Sequence, residues 1–157
     1  MPDLVIAGGW DPRYPEAEIA AKQHNDLSPT HAGEKRGEVR FVRNPDDSVL
    51  KVLYQRAHGF VFPSIYEGFG LPVLEAMQCG IPVAASLTST IAEVGGAAYL
   101  PFDPLHTESI AGALEHLAGD SALRVALQLA GSVQAAKFSW EHTAACTLSA
   151  YGAALCV

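Results

Sequence analysis

The residues of this chain best placed to do chemistry are two carboxylates around a pair of glycines. Glu67 and Glu75 have seven residues between them and bracket Gly68-Phe69-Gly70-Leu71. A helix is expected to open at Leu71-Pro72, because proline suits the first helical turn, and to stop at Gly80. Glycines directly before a helix let backbone come close to a ligand and adopt dihedrals closed to other residues. The amides of Phe69, Gly70 and Leu71 would then point out of the helix start. With the helix dipole they form an anion site that needs no basic side chain. Glu67, at the rim of this loop, suits sugar hydroxyls. Glu75 is the only charged residue between Pro72 and Gly80, among Val73, Leu74, Ala76 and Met77. Turned inward it requires a partner, and the paired hydroxyls of a ribose match its two acceptor oxygens. The bland alternative is a surface loop with one solvated and one capping carboxylate.

Other reactive residue types point to structure instead. His24, His31, His58, His106, His116 and His142 are scattered, with no metal-ligand spacing backed by Cys or Asp. No metal and no cofactor is therefore expected. The odd set Cys79, Cys146 and Cys156 lacks a CxxC spacing and reads as reduced, mostly buried thiols. Thr90 and Glu93 fit a capping box for a short helix. Trp10 and Asp11 follow the glycines that end the first strand, where Trp10 either lines a cleft or packs.

The elements that must hold these residues alternate along the chain. The length of 157 residues fits one domain, and 49% hydrophobic against 17% charged residues supports a sizeable core. Leu4 to Ala7 is a continuous apolar run ending in Gly8-Gly9, as in a buried parallel strand. Val39 to Val42, Gly59 to Pro63, Val83 to Ala85 and Ala97 to Leu100 are the next strand candidates. Helices are expected from Pro15 to His24, from Ser48 with a stripe of Val49, Leu50, Leu53 and Ala57, and after Leu71. Asp26 to Glu38 reads as a loop. Toward the end, Ile110, Leu114 and Leu117 mark one helix. Leu123, Leu127, Ala130 and Val133 mark the next. A last helix, with Ser139 as its cap, carries Trp140, Leu148 and Tyr151. This alternation predicts a single α/β, Rossmann-like, three-layer domain. It has a parallel sheet of about five strands, helices on both faces and a helical C-terminal end. In such sheets ligands sit outside the carboxyl ends of the strands.

Charge narrows the partners. A formal net charge of -7 argues against general nucleic-acid binding and against docking on anionic lipid through this segment. The start shows no signal-peptide pattern, and no apolar run approaches membrane-spanning length. The cytoplasm is the expected location, with peripheral placement at the inner membrane face for a full-length enzyme.

The string Pro63-Ser64-Ile65-Tyr66-Glu67-Gly68-Phe69-Gly70-Leu71-Pro72-Val73-Leu74-Glu75-Ala76-Met77 resembles the signature of glycosyltransferase family four, the glycosyl transferases group 1. The likeness extends through Cys79-Gly80-Ile81-Pro82-Val83, Ala92-Glu93-Val94, Asp103-Pro104 and Phe138-Ser139-Trp140. It also takes in Leu4 to Gly8 and Leu53-Tyr54-Gln55-Arg56-Ala57. The resemblance implies the GT-B fold of two facing Rossmann-like domains, this chain being the C-terminal, donor-nucleotide half. The implied reaction transfers a hexose from a UDP- or GDP-sugar to an acceptor such as a bacterial surface glycan or lipid-linked saccharide. The anomeric configuration is retained, and the donor's own phosphate serves as base. By the same resemblance Glu67 is the catalytic-site carboxylate on the donor sugar. The amides of Phe69, Gly70 and Leu71 meet sugar and diphosphate beside Gly68, and Glu75 holds the ribose. The backbone of Val42, Arg43 and Asn44 meets the nucleobase.

Departures from the family pattern carry expectations too. The family's diphosphate-clamping Arg and Lys follow a first strand lying upstream of this chain, as does the acceptor-binding domain. The chain is accordingly expected not to complete a transfer alone. With that strand missing, Leu4 to Ala7 and Phe60 to Phe62 must pair directly to close a five-stranded sheet. Otherwise an open edge remains through which chains associate. Two other readings stand beside this one. One is another GT-B enzyme, such as a starch or sucrose synthase or a phosphorylase-like protein. The other is a stand-alone nucleotide-sugar-binding or scaffold subunit acting in trans.

Overall fold

A computed structural model describes residues 2–27 and 37–155. Most of the loop expected at Asp26 to Glu38, and Cys156, lie outside the described residues. The elements run β1 (Leu4–Gly8), α1 (Glu16–Asn25), β2 (Val39–Arg43), α2 (Asp47–Arg56), β3 (Phe60–Phe62) and α3 (Leu71–Gln78). They continue with β4 (Val83–Ser86), α4 (Ser89–Gly95), β5 (Leu100–Phe102), α5 (Thr107–Gly119), α6 (Ser121–Ala135) and α7 (Trp140–Leu155). Strand and helix alternate as the periodicity predicts, and every ladder is parallel. The last strand lies at Leu100–Phe102, later than expected, because Gly96 and the turn from Gly95 to Ala98 still belong to the end of α4.

The chain forms two compact units, Met1–Arg56 and Ala57–Val157. Among the described residues the first unit holds the ladder β1-β2 and the second the ladder β3-β4-β5.

In the N-terminal unit, β1 and β2 pair in the register Leu4 with Val39 through Gly8 with Arg43. Asn25, the last residue of α1, ties that helix to β2: its side chain accepts from Val39 N and donates to Val39 O, both at 2.9 Å. Gly37 meets Pro2 so closely that a Cβ there would collide with the Pro2 carbonyl oxygen. The expectation of a buried first strand is corrected: Leu4, Val5 and Ile6 are 40%, 42% and 39% exposed. β1 is hydrogen-bonded to β2, but a continuous apolar run is buried only where other elements cover both of its faces. In α2 the buried residue is Tyr54, while Val49 and Ala57 are exposed.

The C-terminal unit has the denser core. β4 is its central strand and is buried along its whole length. Ala84 packs with Phe102, Ala113, Leu117 and Leu127, with Val61, Leu100, Ile110 and Leu123 around them. By the alternation of a strand, Val83 and Ala85 face the opposite side. Val73, Ala76, Met77, Ile91 and Val94 are also buried. On α6 the buried positions are Leu127, Gly131, Gln134 and Ala135, so the stripe drawn through Ala130 and Val133 is corrected. Gly131 decides this register, since a Cβ there would meet Met77 Cγ of α3 at 3.2 Å. Gln134 is buried with both ends satisfied, donating to Val94 O at 2.7 Å and accepting from Lys137 Nζ at 2.7 Å.

Candidate functional site

Proline inside its first turn and no side-chain cap define the start of α3, where Gly70 is the N-cap residue at φ 93°. That left-handed backbone is open to glycine and strained for other residues. It turns the chain from the loop after β3 into the helix. Among the described residues, the amides of Phe69, Gly70 and Leu71 make no hydrogen bond within the protein. Donors left over at a helix start, with the dipole behind them, attract an anion. At the helix mouth Gly68, Phe69 and Leu71 are exposed while Gly70 between them is buried, and a Cβ on Gly68 would meet nothing within 4 Å. The Phe69 ring turns aside onto the edge of Phe138, centroids 6.1 Å apart.

Glu67 is half-buried at the rim of this mouth, with Tyr66 beside it 89% exposed. Its carboxylate accepts from Ser64 Oγ at 2.8 Å, and its main-chain oxygen accepts from Thr90 Oγ1 at 3.1 Å. Ser64 lies within the motif, and no role for it follows from the motif itself. A hydroxyl three residues before a loop carboxylate is the signal that was there to read. Thr90 requires a correction: it is not a helix cap. The N-cap of α4 is Thr88, which makes no side-chain capping bond, and Thr90 sits in the first turn with its hydroxyl on the Glu67 loop. The Thr88 hydroxyl is buried without a hydrogen-bond partner.

Glu75 lies on the exposed face of α3 and takes part in an interaction there, while Val73, Leu74, Ala76 and Met77 turn into the core. The helix therefore separates its one charged residue from its apolar face, and no inward carboxylate has to be neutralised.

The residues expected at the nucleobase belong to the N-terminal unit. Val42 and Arg43 close β2, and Asn44 follows in the left-handed region at φ 46°. The Asn44 amide donates to Gly8 O at 2.8 Å, so that main-chain donor is already used. The Arg43 guanidinium lies over the Trp10 ring, 5.0 Å from its centroid, and pairs with Glu18. Trp10 also meets the edge of Phe41, centroids 5.9 Å apart, so it packs as well as facing Arg43. Asp11 is held below the usual carboxylate range by hydrogen bonds from the side chain and main chain of Arg13.

Among the described residues no three His, Cys, Asp or Glu side chains converge as a metal site. Cys79 is half-buried, and the reading of Cys146 as buried is corrected: it is exposed on α7, its sulfur 3.6 Å from His142 Nε2. Among the described residues no helix is long and apolar enough to cross a membrane.

Comparison with known proteins agrees with the motif. The family profile of the glycosyl transferases group 1 matches residues 3–132. The chain is 40% identical over 119 residues to an O-antigen chain mannosyltransferase B of Escherichia coli, covering 76% of this chain and 31% of that protein. It is 34% identical over 157 residues to a D-inositol 3-phosphate glycosyltransferase of Jonesia denitrificans, covering 96% of this chain and 35% of that protein. It thus spans about a third of the length of these relatives. Among solved structures, a sucrose-phosphate synthase from Thermosynechococcus elongatus superposes with a TM-score of 0.79 at 28% identity, over 98% of this chain and 39% of that one. A starch synthase IV catalytic domain from Arabidopsis thaliana, with a TM-score of 0.70 at 20% identity, covers 99% of this chain and 33% of its own and shares the fold. Profile, sequence relatives and fold converge on one family, and the chain belongs to the glycosyl transferases group 1, with the Rossmann-like architecture of a GT-B glycosyltransferase domain.

Proposed function

We propose that this chain is the donor-binding half of a retaining glycosyltransferase that moves a hexose from a UDP- or GDP-sugar to an acceptor. The observation that carries the reading is the open start of α3, with amides of Phe69, Gly70 and Leu71 unspent and Glu67 anchored beside them. In this reading the amides hold the diphosphate and the sugar. Glu67 accepts from hydroxyls of the donor sugar, and Glu75, on the exposed face of α3, accepts from the ribose hydroxyls. Contacts of the base with Val42, Arg43 and Asn44 belong to the same proposal. Similarity to an O-antigen mannosyltransferase supports a bacterial surface glycan as acceptor.

The protein's part in the chemistry is positioning and charge stabilisation, since fixed donors aimed at developing charge cost no reorganisation during reaction. The departing diphosphate gathers negative charge, and main-chain amides at a helix start are suited to receive it.

Isothermal titration with UDP and with GDP tests the donor site. One of the two is expected to bind, and Glu75→Ala is expected to weaken it about tenfold or more, the scale of hydrogen bonds to a charged acceptor. Failure of both diphosphates to bind, with Glu75→Ala indistinguishable from the parent chain, would sink the reading.

The same proposal includes self-association through the exposed apolar strand β1, whose ladder partner among the described residues is β2. Sedimentation velocity over a concentration series is expected to show a rising weight-average mass, and Val5→Lys to abolish the rise. A mass independent of concentration would count against it.

A further inference from the structure

Glu67 stands on a loop that has little else to hold it. Ile65, Tyr66 and Gly68 are all exposed, and a glutamate side chain on such a loop has many rotamers open to it. Two hydroxyls from different parts of the C-terminal unit converge on this one residue. Ser64, just past the end of β3, lies 2.8 Å from Glu67 Oε1 and 3.1 Å from Tyr66 O. A serine has a single proton to donate, and the shorter contact to a charged acceptor takes it. Thr90, in the first turn of α4, donates to the Glu67 main-chain oxygen at 3.1 Å. One bond therefore orients the carboxylate and the other fixes the peptide that carries it. The bond from Ser64 is to Oε1, and among the described residues no hydrogen bond to the other oxygen, Oε2, is seen.

We infer that Ser64 and Thr90 are positioning residues that hold Glu67 in the geometry in which it accepts from the donor sugar. The inference rests on the donor-site reading above. Neither hydroxyl touches the ligand in this scheme; both act through Glu67. Among the described residues the other hydrogen-bond contact of the Ser64 hydroxyl is the longer one, to Tyr66 O within its own loop. Thr90 is not the cap of α4, so its hydroxyl is not spent on the helix it belongs to. Orienting the acceptor beforehand raises sugar affinity by removing a cost that would otherwise fall on binding.

The experiment separates the sugar from the nucleotide. The full chain is titrated with UDP, UDP-glucose, GDP and GDP-mannose, and the ratio of diphosphate to nucleotide-sugar dissociation constants measures the contribution of the sugar. Ser64→Ala is expected to lower that ratio roughly tenfold while leaving the diphosphate constant within about twofold. Ser64→Thr, which keeps the hydroxyl, restores the ratio, and Ser64→Cys, nearly isosteric but a weak donor, does not. Glu67→Gln lowers the ratio by a similar factor, and adding Ser64→Ala to it brings no further loss. Thr90→Val lowers the ratio and Thr90→Ser retains it. A merely structural role would move the diphosphate constant and the melting temperature together and leave the ratio alone. An unchanged ratio in Ser64→Ala, Ser64→Cys and Thr90→Val overturns the inference. So does a parent chain that binds diphosphate but gains nothing from the sugar, in which case the nucleotide site survives. Absence of any diphosphate binding instead removes the donor-site reading itself.

Discussion

Gly70 shows how much one residue decides here. It is buried, takes φ 93°, and heads the helix whose amides form the proposed anion site. Alanine in its place has room, the nearest atom to the new Cβ being Ile91 Cγ1 at 3.6 Å, so any cost is backbone strain and not a clash. Gly70→Ala is expected to destabilise by about 1–3 kcal/mol, measured by denaturant unfolding. It is also expected to weaken UDP or GDP binding, because relaxing φ re-aims the amides. Stability and affinity both unchanged would mean the left-handed conformation matters for neither. That a glycine belonged at this position was legible from the turn before a proline-started helix. Its handedness, and the two hydroxyls on Glu67, were not, because a one-dimensional string does not say which loop α4 lies against.

At the scale of elements, close approach decides which helix faces are buried. Gly95, near the end of α4, lies so near Tyr99 that a Cβ would stand 2.6 Å from Cδ1 of the ring. Gly95→Ala is expected to cost about 1–3 kcal/mol by overpacking, read from the same unfolding curves. A neutral result would show that the Tyr99 ring has room to move. The opposite case is α7, a helix of 16 residues with none buried, its Ser139 cap made as expected through the His142 amide at 3.1 Å. Trp140, Leu148 and Tyr151 are exposed on it. A helix without buried contacts draws little stability from packing. Hydrogen exchange across α7 should therefore run much faster than in α3 and α6, and equal protection would contradict its exposure. Periodicity found α5, α6 and α7 as helices. It placed part of the α6 stripe one residue off, since Gly131 and Gln134 look wrong for a core until Met77 and Val94 are seen opposite them.

For the molecule as a whole, stability follows from the C-terminal unit's core and its titrating groups. Burial pushes the Tyr99 phenol above its ordinary value of 10.0. The folded state thus holds that proton more tightly than the unfolded chain. Its contribution is fully present below about pH 10 and is lost as pH rises through the higher folded value. Unfolding midpoints measured from pH 8 to 11 should fall on the alkaline side, and Tyr99→Phe should flatten the fall. A slope unchanged by that substitution would assign it to other groups. On the acid side, Asp103 is held below its ordinary 3.8 by the Leu105 amide and by His106, so its small contribution persists at neutral pH and fades only as pH drops through that lower value.

The sequence alone determined the order and type of elements, the parallel sense of the strands and the family. Those follow from short-range signals: apolar runs bounded by glycine and proline, helical period, and one long motif. Tertiary structure alone decided which described strands pair within each unit, which face of α6 is buried, and that Ser64 and Thr90 converge on Glu67. The reason is physical. Strand neighbours and loop anchors are set by hydrogen bonds between residues far apart in the chain, such as Thr90 and Glu67. Local preference carries no information about which of those distant partners will meet.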